Sequence, residues 1–317
     1  MRKALSHLYG LAVGARCFLY DTGIFAAHRT GIPVVSIGNI EAGGTGKTPM
    51  TIALARELAA RGLKPAIVTR GYRGRLRGPI RVRAGHRPED VGDEALLMAR
   101  ISGTDVIKSP DRVQGALFAK KELGADLVLL DDGFQHRRIH RDLDIVLVSG
   151  DVRTDALLPA GSLREPAHAL KRADIVIHTK GAGGGGITAE LVPCSLIDPS
   201  GSREDLSVLQ GRSVLAVCGI ARPAHFSEMM GGFGARVETM AFPDHHRFSP
   251  RDMEAIGEKA RGKDLIVTTE KDMVRLDPRL IDGRWRALRV EMRVSAMDAI
   301  VREIEGIVKG GSISRQG

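Results

Sequence analysis

Cysteine, aromatic residues and long apolar runs are all scarce in this sequence of 317 residues. Its three cysteines, at positions 17, 194 and 218, are far apart and form no Cys-x-x-Cys pair. This spacing excludes a disulfide framework and a structural zinc site, and it indicates a reducing compartment. Aromatic residues make up 4% of the chain, too few for the stacking platforms that bind single-stranded nucleic acid. No stretch of about 18 uncharged apolar residues occurs, which excludes a conventional transmembrane helix.

Positive charge is in excess, but only in two places. The chain has 47 Lys and Arg against 38 Asp and Glu, a formal net charge of +9. Residues 1–30 carry +3, residues 70–87 contain seven arginines and no acidic residue, and the remainder is close to neutral. Such a balance suits an anionic membrane, a phosphorylated substrate or a nucleic acid, and it says nothing about the fold. A solvated loop is the simplest interpretation of residues 70–87 taken alone.

Apolar runs of strand length alternate with helical patterns along the chain. This order is typical of parallel βαβ units and predicts an α/β fold with a doubly wound parallel sheet. A glycine run over residues 181–186 predicts a flexible joint before a second, smaller α/β domain. Strands are predicted over 33–37, 66–69, 105–107, 127–130, 145–148, 175–177, 214–218 and 265–268. Helices are predicted over 48–61, 94–101, 112–123, 226–230, 250–259 and 296–308.

A glycine-rich segment between the first predicted strand and helix has the context of a phosphate-binding loop. Its backbone N–H groups would surround phosphate oxygens, and the helix N-terminus adds partial positive charge. Lys47 would reach the β- and γ-phosphates, and the Thr48 hydroxyl would bind Mg²⁺. The segment departs from the usual pattern at Glu41, where the first glycine of G-x-x-x-x-G-K-[ST] would fall. The residues predicted to hold the nucleotide here are Gly43, Gly44, Thr45, Gly46, Lys47 and Thr48.

Two adjacent carboxylates, Asp131 and Asp132, follow directly after the strongly apolar strand predicted over 127–130. Carboxylates at the carboxyl end of a strand beside a phosphate loop hold or orient Mg²⁺. An Asn-Lys-x-Asp guanine motif is absent from the sequence, which favours ATP over GTP. The sequence therefore predicts an ATP site with Mg²⁺ in a P-loop domain.

Two further groups are candidates for the base that would deprotonate an acceptor hydroxyl. Asp93 and Glu94 open a predicted helix, where capping and favourable interaction with the helix dipole are the simpler explanation. His245 lies in an Asp-His-His stretch between two prolines, in the predicted second domain. A carboxylate and a histidine together could remove a proton from a sugar hydroxyl.

The N-terminal thirty residues have the pattern of a basic amphipathic helix. Both a helix in a membrane interface and a helix packed on its own domain fit the pattern, and both stay open. A signal peptide also fits, but a retained helix is favoured because an ATP site follows directly. The apolar positions are Leu5, Leu8, Ala12, Ala15 and Leu19. The predicted division is an N-terminal helix over 1–30, a P-loop domain over 31–180, a linker over 181–208 and a second α/β domain over 209–317.

Further motifs occur in order and together resemble those of the tetraacyldisaccharide 4′-kinase family of lipid A biosynthesis. The resemblance extends from about residue 34 to residue 276. The motifs are Gly43-Gly-Thr-Gly-Lys-Thr-Pro49, Arg70-Gly-Tyr72, Val91-Gly-Asp-Glu94, Asp131-Asp-Gly-Phe-Gln-His136, Leu158-Pro-Ala-Gly-Ser-Leu-Arg-Glu-Pro166, Cys218-Gly-Ile-Ala221, Phe242-Pro-Asp-His245 and Thr269-Glu-Lys-Asp272.

The resemblance implies a kinase that uses ATP and Mg²⁺. It implies transfer of the γ-phosphoryl group to the 4′-hydroxyl of an acylated glucosamine disaccharide 1-phosphate, with lipid IVA as the product. It also implies two α/β domains joined by a small β linker. The N-terminal helix would lie on the cytoplasmic face of the inner membrane, an anionic surface that the loop over residues 70–87 could also meet. Nucleic acid is not an expected partner.

The resemblance also implies roles for individual residues. Asp93 would be the catalytic base, assisted by His245. The phosphates would be held by Lys47, Thr48 and Arg164, with Gln135 and His136 close by. The metal environment would consist of Thr48, Glu94, Asp131 and Asp132.

Two other functional classes are alternatives to the kinase. A P-loop ATPase switch of the membrane-partitioning or metallochaperone type shares Gly-Gly-x-Gly-Lys-Thr, but such switches commonly carry a lysine where this chain has Glu41-Ala42. A basic nucleic-acid-binding protein would explain the arginines over 70–87. No helix-turn-helix, zinc finger or aromatic ribonucleoprotein motif accompanies them in the sequence.

Overall fold

A computed structural model of the chain describes residues 1–179 and 186–310. The chain divides into two compact units, one formed by Met1–Glu190 with the chain from Met292 on, the other by Leu191–Glu291. The glycine joint predicted over 181–186 lies, except for Gly186, outside the described residues. None of the helices in the described part of the chain is long and apolar enough to cross a membrane.

The elements follow the alternating order predicted from the sequence. The α-helices are α1 (Arg2–Asp21), α2 (Lys47–Ala60), α3 (Pro88–Val91), α4 (Asp93–Ile101), α5 (Arg112–Leu123), α6 (Pro223–Gly231), α7 (Pro250–Lys259), α8 (Glu270–Met273) and α9 (Met297–Gly310). The strands are β1 (Val34–Asn39), β2 (Pro65–Thr69), β3 (Ile80–Val82), β4 (Asp105–Lys108), β5 (Leu127–Asp131), β6 (Leu143–Val148), β7 (Ile175–His178), β8 (Ile187–Ile197), β9 (Arg203–Glu204), β10 (Ser213–Cys218), β11 (Arg236–Ala241), β12 (Leu265–Thr269) and β13 (Trp285–Val294).

The first unit is built on a sheet with the strand order β7-β6-β1-β5-β2-β4-β3. All neighbouring pairs in this series are parallel except β3 with β4. The strands β1, β2, β5 and β6 are buried along their whole length, which explains why they read as continuous apolar runs. Because β1 and β5 are adjacent and parallel, their carboxyl ends lie side by side, with Ile37 opposite Asp131. The predicted α/β fold with a parallel sheet is confirmed.

The helices of this unit begin and end where local chemistry dictates. Asp111 caps α5 by accepting hydrogen bonds from the main-chain N–H groups of Val113 and Gln114. The helix ends at Gly124, whose φ of 60° is left-handed. Both signals are local, and the predicted bounds of 112–123 are confirmed.

The second unit carries its own parallel strands in the order β11-β10-β12-β13. A separate apolar core covers them, in which Leu215, Val217, Ile256 and Trp285 are buried together. The helix α7 starts with a capping box between Ser249 and Asp252.

The two compact units of the structure have different boundaries from the domains predicted from the sequence. The last helix, α9, belongs to the first unit, where it contacts α2. Arg61, just after α2, forms ion pairs with Asp298 and Glu305 of α9. Strands β8 and β13 each contain a boundary between the units, so part of the predicted linker over 181–208 is a long strand.

Candidate active site

The phosphate loop connects β1 to α2 at the carboxyl edge of the sheet. Gly46 precedes the helix with φ of 88°, a left-handed conformation that favours glycine. No side chain caps the first turn of α2, so its main-chain N–H groups are available to an anion. Nothing lies within 4 Å of the Cβ positions that Gly43 and Gly44 lack. The loop therefore borders open space that a phosphate chain can occupy.

Glu41, the departure from the usual phosphate-loop pattern, has a structural explanation. Its side chain is buried, and its two carboxylate oxygens accept hydrogen bonds of 2.8 Å from the N–H and the hydroxyl of Ser149. Its main chain forms an antiparallel bridge to Leu163. Glu41 fixes the entry to the loop, and the later glycines supply the space around phosphate.

Lys47 and Arg164 converge on Asp132 at the end of β5. The Nζ of Lys47 lies 3.5 Å from Oδ1 of Asp132, and the Nη1 of Arg164 lies 2.9 Å from Oδ2. Burial raises the pKa of the Asp132 carboxyl, but these two cations outweigh it and hold the pKa below its ordinary value. The structure thus brings together three residues that the sequence predicted for this site.

Asp131 lies deeper and is surrounded by hydroxyl groups and other carboxylates. It accepts a hydrogen bond of 3.0 Å from the Thr69 hydroxyl, and the Thr48 hydroxyl lies 3.4 Å from its Oδ1. Burial, followed by the charges of Glu94 and Asp132, raises the pKa of Asp131 to about 7. A buried carboxylate with acidic neighbours is a place where a cation would lower the electrostatic energy.

The oxygen atoms of Thr48 and Asp131 fit Mg²⁺, which is usually held by one or two protein oxygens together with substrate phosphates and waters. Within residues 1–179 and 186–310, no group of three or more His, Cys, Asp or Glu is arranged to hold a metal by itself. A magnesium ion that shares its ligands with bound phosphates agrees with both observations.

Asp93 is the first residue of α4 and is buried. Its Oδ1 accepts a hydrogen bond of 3.0 Å from the N–H of Glu94, the next residue, but Gly92 is the N-cap of α4 and no side chain caps this helix, so the simpler interpretation of Asp93 as a capping residue is not observed. Gly92 before it has φ of 92°, and a Cβ there would lie 2.6 Å from the carbonyl oxygen of Tyr72. The close approach holds the Asp93 turn against the Arg-Gly-Tyr motif.

His245 lies in the second unit, on the turn that follows β11. Its backbone has a left-handed φ of 59°, which is unusual for a residue other than glycine. The Nζ of Lys271 lies 3.2 Å from Nε2 of His245 and 3.4 Å from Oδ1 of Asp244. The Thr-Glu-Lys-Asp motif therefore supports the Pro-Asp-His motif within this unit.

Sequence reasoning missed Arg112, at the start of α5. Its side chain is 4% exposed, and its Nε has no hydrogen-bond partner. Burial lowers the pKa of the Arg112 guanidinium, while Asp131 and Asp132 act in the opposite direction. A buried cation near the carboxylate pair is suited to an anionic ligand. The available signal was an arginine in the first turn of a helix, where the dipole disfavours positive charge.

Gln135 and His136 follow the carboxylate pair in the same loop. The side-chain Nε2 of Gln135 donates a hydrogen bond of 2.8 Å to the carbonyl of Asn39, at the start of the phosphate loop. Burial, together with the charge of Arg112, lowers the pKa of His136 to about 4, so its imidazole is neutral at pH 7.

The helix α1 shows different chemistry on its two sides. Ser6 is buried and donates a hydrogen bond of 2.7 Å to the carbonyl of Leu157. On the other side, Leu5, Leu8 and Phe18 are 48%, 64% and 62% exposed. The helix is packed on its own unit through the side that carries Ser6, Val13 and Cys17, and most of the predicted apolar side faces outward.

The sequence profile of the family described as tetraacyldisaccharide-1-P 4′-kinase matches residues 2–308. A tetraacyldisaccharide 4′-kinase from Anaeromyxobacter dehalogenans (strain 2CP-C) is 41% identical over 316 aligned positions, covering 90% of this chain and 83% of the relative. The enzyme of the same name from Syntrophus aciditrophicus (strain SB) is 38% identical and covers 98% of this chain and 93% of the relative.

A solved structure is similar over nearly the whole chain. It is a crystal structure of LpxK from Aquifex aeolicus in complex with ATP, with a TM-score of 0.80 and 30% sequence identity. The match covers 96% of this chain and 98% of the crystallised one.

Proposed function

Because this chain belongs to the tetraacyldisaccharide-1-P 4′-kinase family, we propose that the site at the carboxyl ends of β1 and β5 is where it performs that reaction. The chain is an ATP-dependent kinase that transfers the γ-phosphoryl group to the 4′-hydroxyl of tetraacyldisaccharide 1-phosphate, and the product is lipid IVA. The observation that carries the location is the convergence of Lys47 and Arg164 beside an uncapped helix N-terminus.

The nucleotide would lie along the phosphate loop. Main-chain N–H groups at the start of α2 donate to phosphate oxygens, and Lys47 reaches the transferring group. Arg164 adds a second cation, and the two offset the negative charge that develops during transfer. Arg112 adds further positive charge behind the phosphates in this proposal, because its buried guanidinium interacts electrostatically with Asp131 and Asp132.

Magnesium would be held by Thr48 and Asp131, with Glu94 and Asp132 completing its electrostatic environment. When bound, Mg²⁺ neutralises charge on the β- and γ-phosphates. The raised pKa of Asp131 supports this placement, because it indicates a carboxylate whose charged form lacks compensation from the protein alone.

Asp93 is the proposed catalytic base. Transfer to a sugar alcohol requires that the 4′-hydroxyl lose its proton, and a carboxylate within hydrogen-bond reach accepts it. The assisting role of His245 rests on the Pro-Asp-His motif, and within its unit Lys271 supports the imidazole.

Replacing Thr48 with alanine should raise the Mg²⁺ concentration needed for half-maximal activity by about tenfold, because it removes a hydroxyl from the metal environment. Thr51→Ala is the matched control, since Thr51 lies one turn further along α2 and its hydroxyl bonds to the carbonyl of Lys47. Activity measured as a function of Mg²⁺ checks this. An unchanged Mg²⁺ titration in Thr48→Ala would remove Thr48 from the metal site.

The membrane surface is the proposed working place of the enzyme, on the cytoplasmic face of the inner membrane. The substrate is an acylated lipid, and α1 exposes an apolar row behind Arg2 and Lys3. A helix of this kind binds by apolar burial together with attraction to anionic lipid. The arginine-rich segment over residues 70–87 is not a continuous loop as expected, since it contains strand β3; with Tyr72 and Leu76 also exposed, it is proposed as a second contact.

Substituting both Leu8 and Leu11 with serine should lower binding to vesicles that contain anionic lipid by about tenfold, because two exposed leucines would no longer insert. Leu280→Ser is the control, since Leu280 is 47% exposed but belongs to the second unit. Co-sedimentation with vesicles measures the bound fraction. Equal binding by the double variant and wild type would contradict the role of α1.

A further inference from the structure

Two side chains of α1, Tyr9 and Arg16, contact the two loops that carry nucleotide-site residues. The Tyr9 hydroxyl donates a hydrogen bond of 2.9 Å to the main-chain carbonyl of Arg164. The Nη2 of Arg16 donates one of 2.9 Å to the main-chain carbonyl of Gln135. The helix is therefore bonded directly to the backbone of both residues.

The same two residues also contact the start of the phosphate loop. The main-chain N–H of Arg164 donates a hydrogen bond of 2.7 Å to the carbonyl of Ile40. The side chain of Gln135 donates one of 2.8 Å to the carbonyl of Asn39. Arg164 and Gln135 thus each contact both α1 and the start of the phosphate loop.

The hydrogen bond from Tyr9 to Arg164 helps to fix the position of the Arg164 guanidinium charge. Its main chain is held on one side by Ile40 and on the other by Tyr9, while its guanidinium contacts Asp132. A guanidinium is positioned well only if its own backbone is fixed, because its long side chain has many rotamers. Loss of one backbone anchor would let the cation move relative to Lys47 and the phosphates.

The Arg16 connection is reinforced by neighbouring aromatic and basic groups. The guanidinium groups of Arg16 and Arg137 lie 5.7 and 5.2 Å from the ring centre of Tyr20. Arg137 also donates a hydrogen bond of 3.1 Å to the carbonyl of Cys17. This second half of α1 is therefore fixed to the loop that contains Gln135 by contacts in both directions.

We propose that Tyr9 and Arg16 are positioning residues for phosphoryl transfer, acting through Arg164 and Gln135. The proposal rests on the proposed function, in which Arg164 and Gln135 serve the bound nucleotide. The helix that presents leucines to lipid also fixes the geometry of the nucleotide site through its opposite side.

The direct test is Tyr9→Phe, which keeps the ring and removes only the hydroxyl. The loss of one hydrogen bond should lower kcat/KM for ATP about fivefold, with vesicle binding unchanged and a shift in thermal midpoint no larger than that of Ser6→Ala. Ser6→Ala is the matched control, because it removes a hydroxyl bond from α1 to Leu157, a residue without a role at the nucleotide site. Ser6→Ala should retain wild-type kcat/KM, and an equal loss in both variants would overturn the proposal.

Double-mutant cycles show whether each residue acts through its partner. In an Arg164→Ala background, Tyr9→Phe should have no further effect on kcat/KM, because the guanidinium that it positions is absent. Arg16→Gln should lower kcat/KM by a similar factor in wild type, and not in a Gln135→Ala background. The same fivefold loss in either background would show that the tyrosine or arginine does not act through that partner.

These variants also distinguish the positioning role of Tyr9 and Arg16 from the proposed nucleotide-binding role of Arg164 and Gln135. Full activity in Arg164→Ala and Gln135→Ala would refute their nucleotide role. Impaired activity in those variants, with wild-type kcat/KM in Tyr9→Phe and Arg16→Gln, would refute the positioning role alone.

Discussion

Replacing Asp93 with alanine should lower kcat about 10³-fold while leaving the affinity for ATP nearly unchanged. In the proposed mechanism the carboxylate accepts the proton of the acceptor hydroxyl and is not among the groups that hold the phosphates. Its burial at the first turn of α4 fixes its position. Steady-state kinetics give kcat, and isothermal titration calorimetry with ATP gives the affinity.

Asp90→Asn is the control for Asp93→Ala. Asp90 lies three residues away and its carboxylate pairs with Arg75 on the surface, so its loss should change kcat less than about twofold. If Asp93→Ala kept wild-type kcat, another group would have to be the base. If its ATP affinity fell in parallel with kcat, Asp93 would act in nucleotide binding.

Replacing Lys47 with methionine should lower kcat/KM for ATP about 10³-fold, the second large effect that the site predicts. Methionine retains the length of the side chain and removes its charge, so Arg164 alone would face the phosphates. Both kcat and KM should change, because in the proposed mechanism Lys47 contacts phosphate in the ground state and in the transition state.

Lys64→Met provides the comparison for Lys47→Met. Lys64 is exposed and immediately precedes β2, at the amino end of that strand, and its loss removes the same formal charge from the first unit. Steady-state kinetics with varied ATP should give kcat/KM values for the two variants that differ by nearly 10³-fold. Similar kinetics in both would mean that Lys47 has no specific phosphate contact.

Much of the first unit could be predicted because its signals are local. The apolar run before Asp131 forms a buried strand, and the glycine-lysine-threonine segment lies between β1 and α2 as expected. Lys47, Asp132 and Arg164 are far apart in sequence, and the structure brings these members of three motifs together, while their roles toward ATP and Mg²⁺ stay predictions. The family match favours the kinase over the ATPase switch.

Features that depend on tertiary packing could not be predicted. The strand β13 alternates buried Trp285 and Ala287 with the more exposed Arg286. Its charged residues make the apolar alternation weak, so this strand was not predicted from the sequence. The packing of α9 on the first unit depends on partners more than two hundred residues earlier, such as Arg61. The buried position of Arg112 and the contacts of α1 with Arg164 and Gln135 likewise follow from the assembled sheet, not from local sequence.

The most direct measurement incubates the purified full chain with γ-labelled ATP, Mg²⁺ and tetraacyldisaccharide 1-phosphate in detergent. Label should appear in a glycolipid phosphorylated at the 4′ position, at a rate that depends on both substrates, and Asp93→Ala should form almost none. A time course in which wild type transfers no label to the glycolipid would contradict the account.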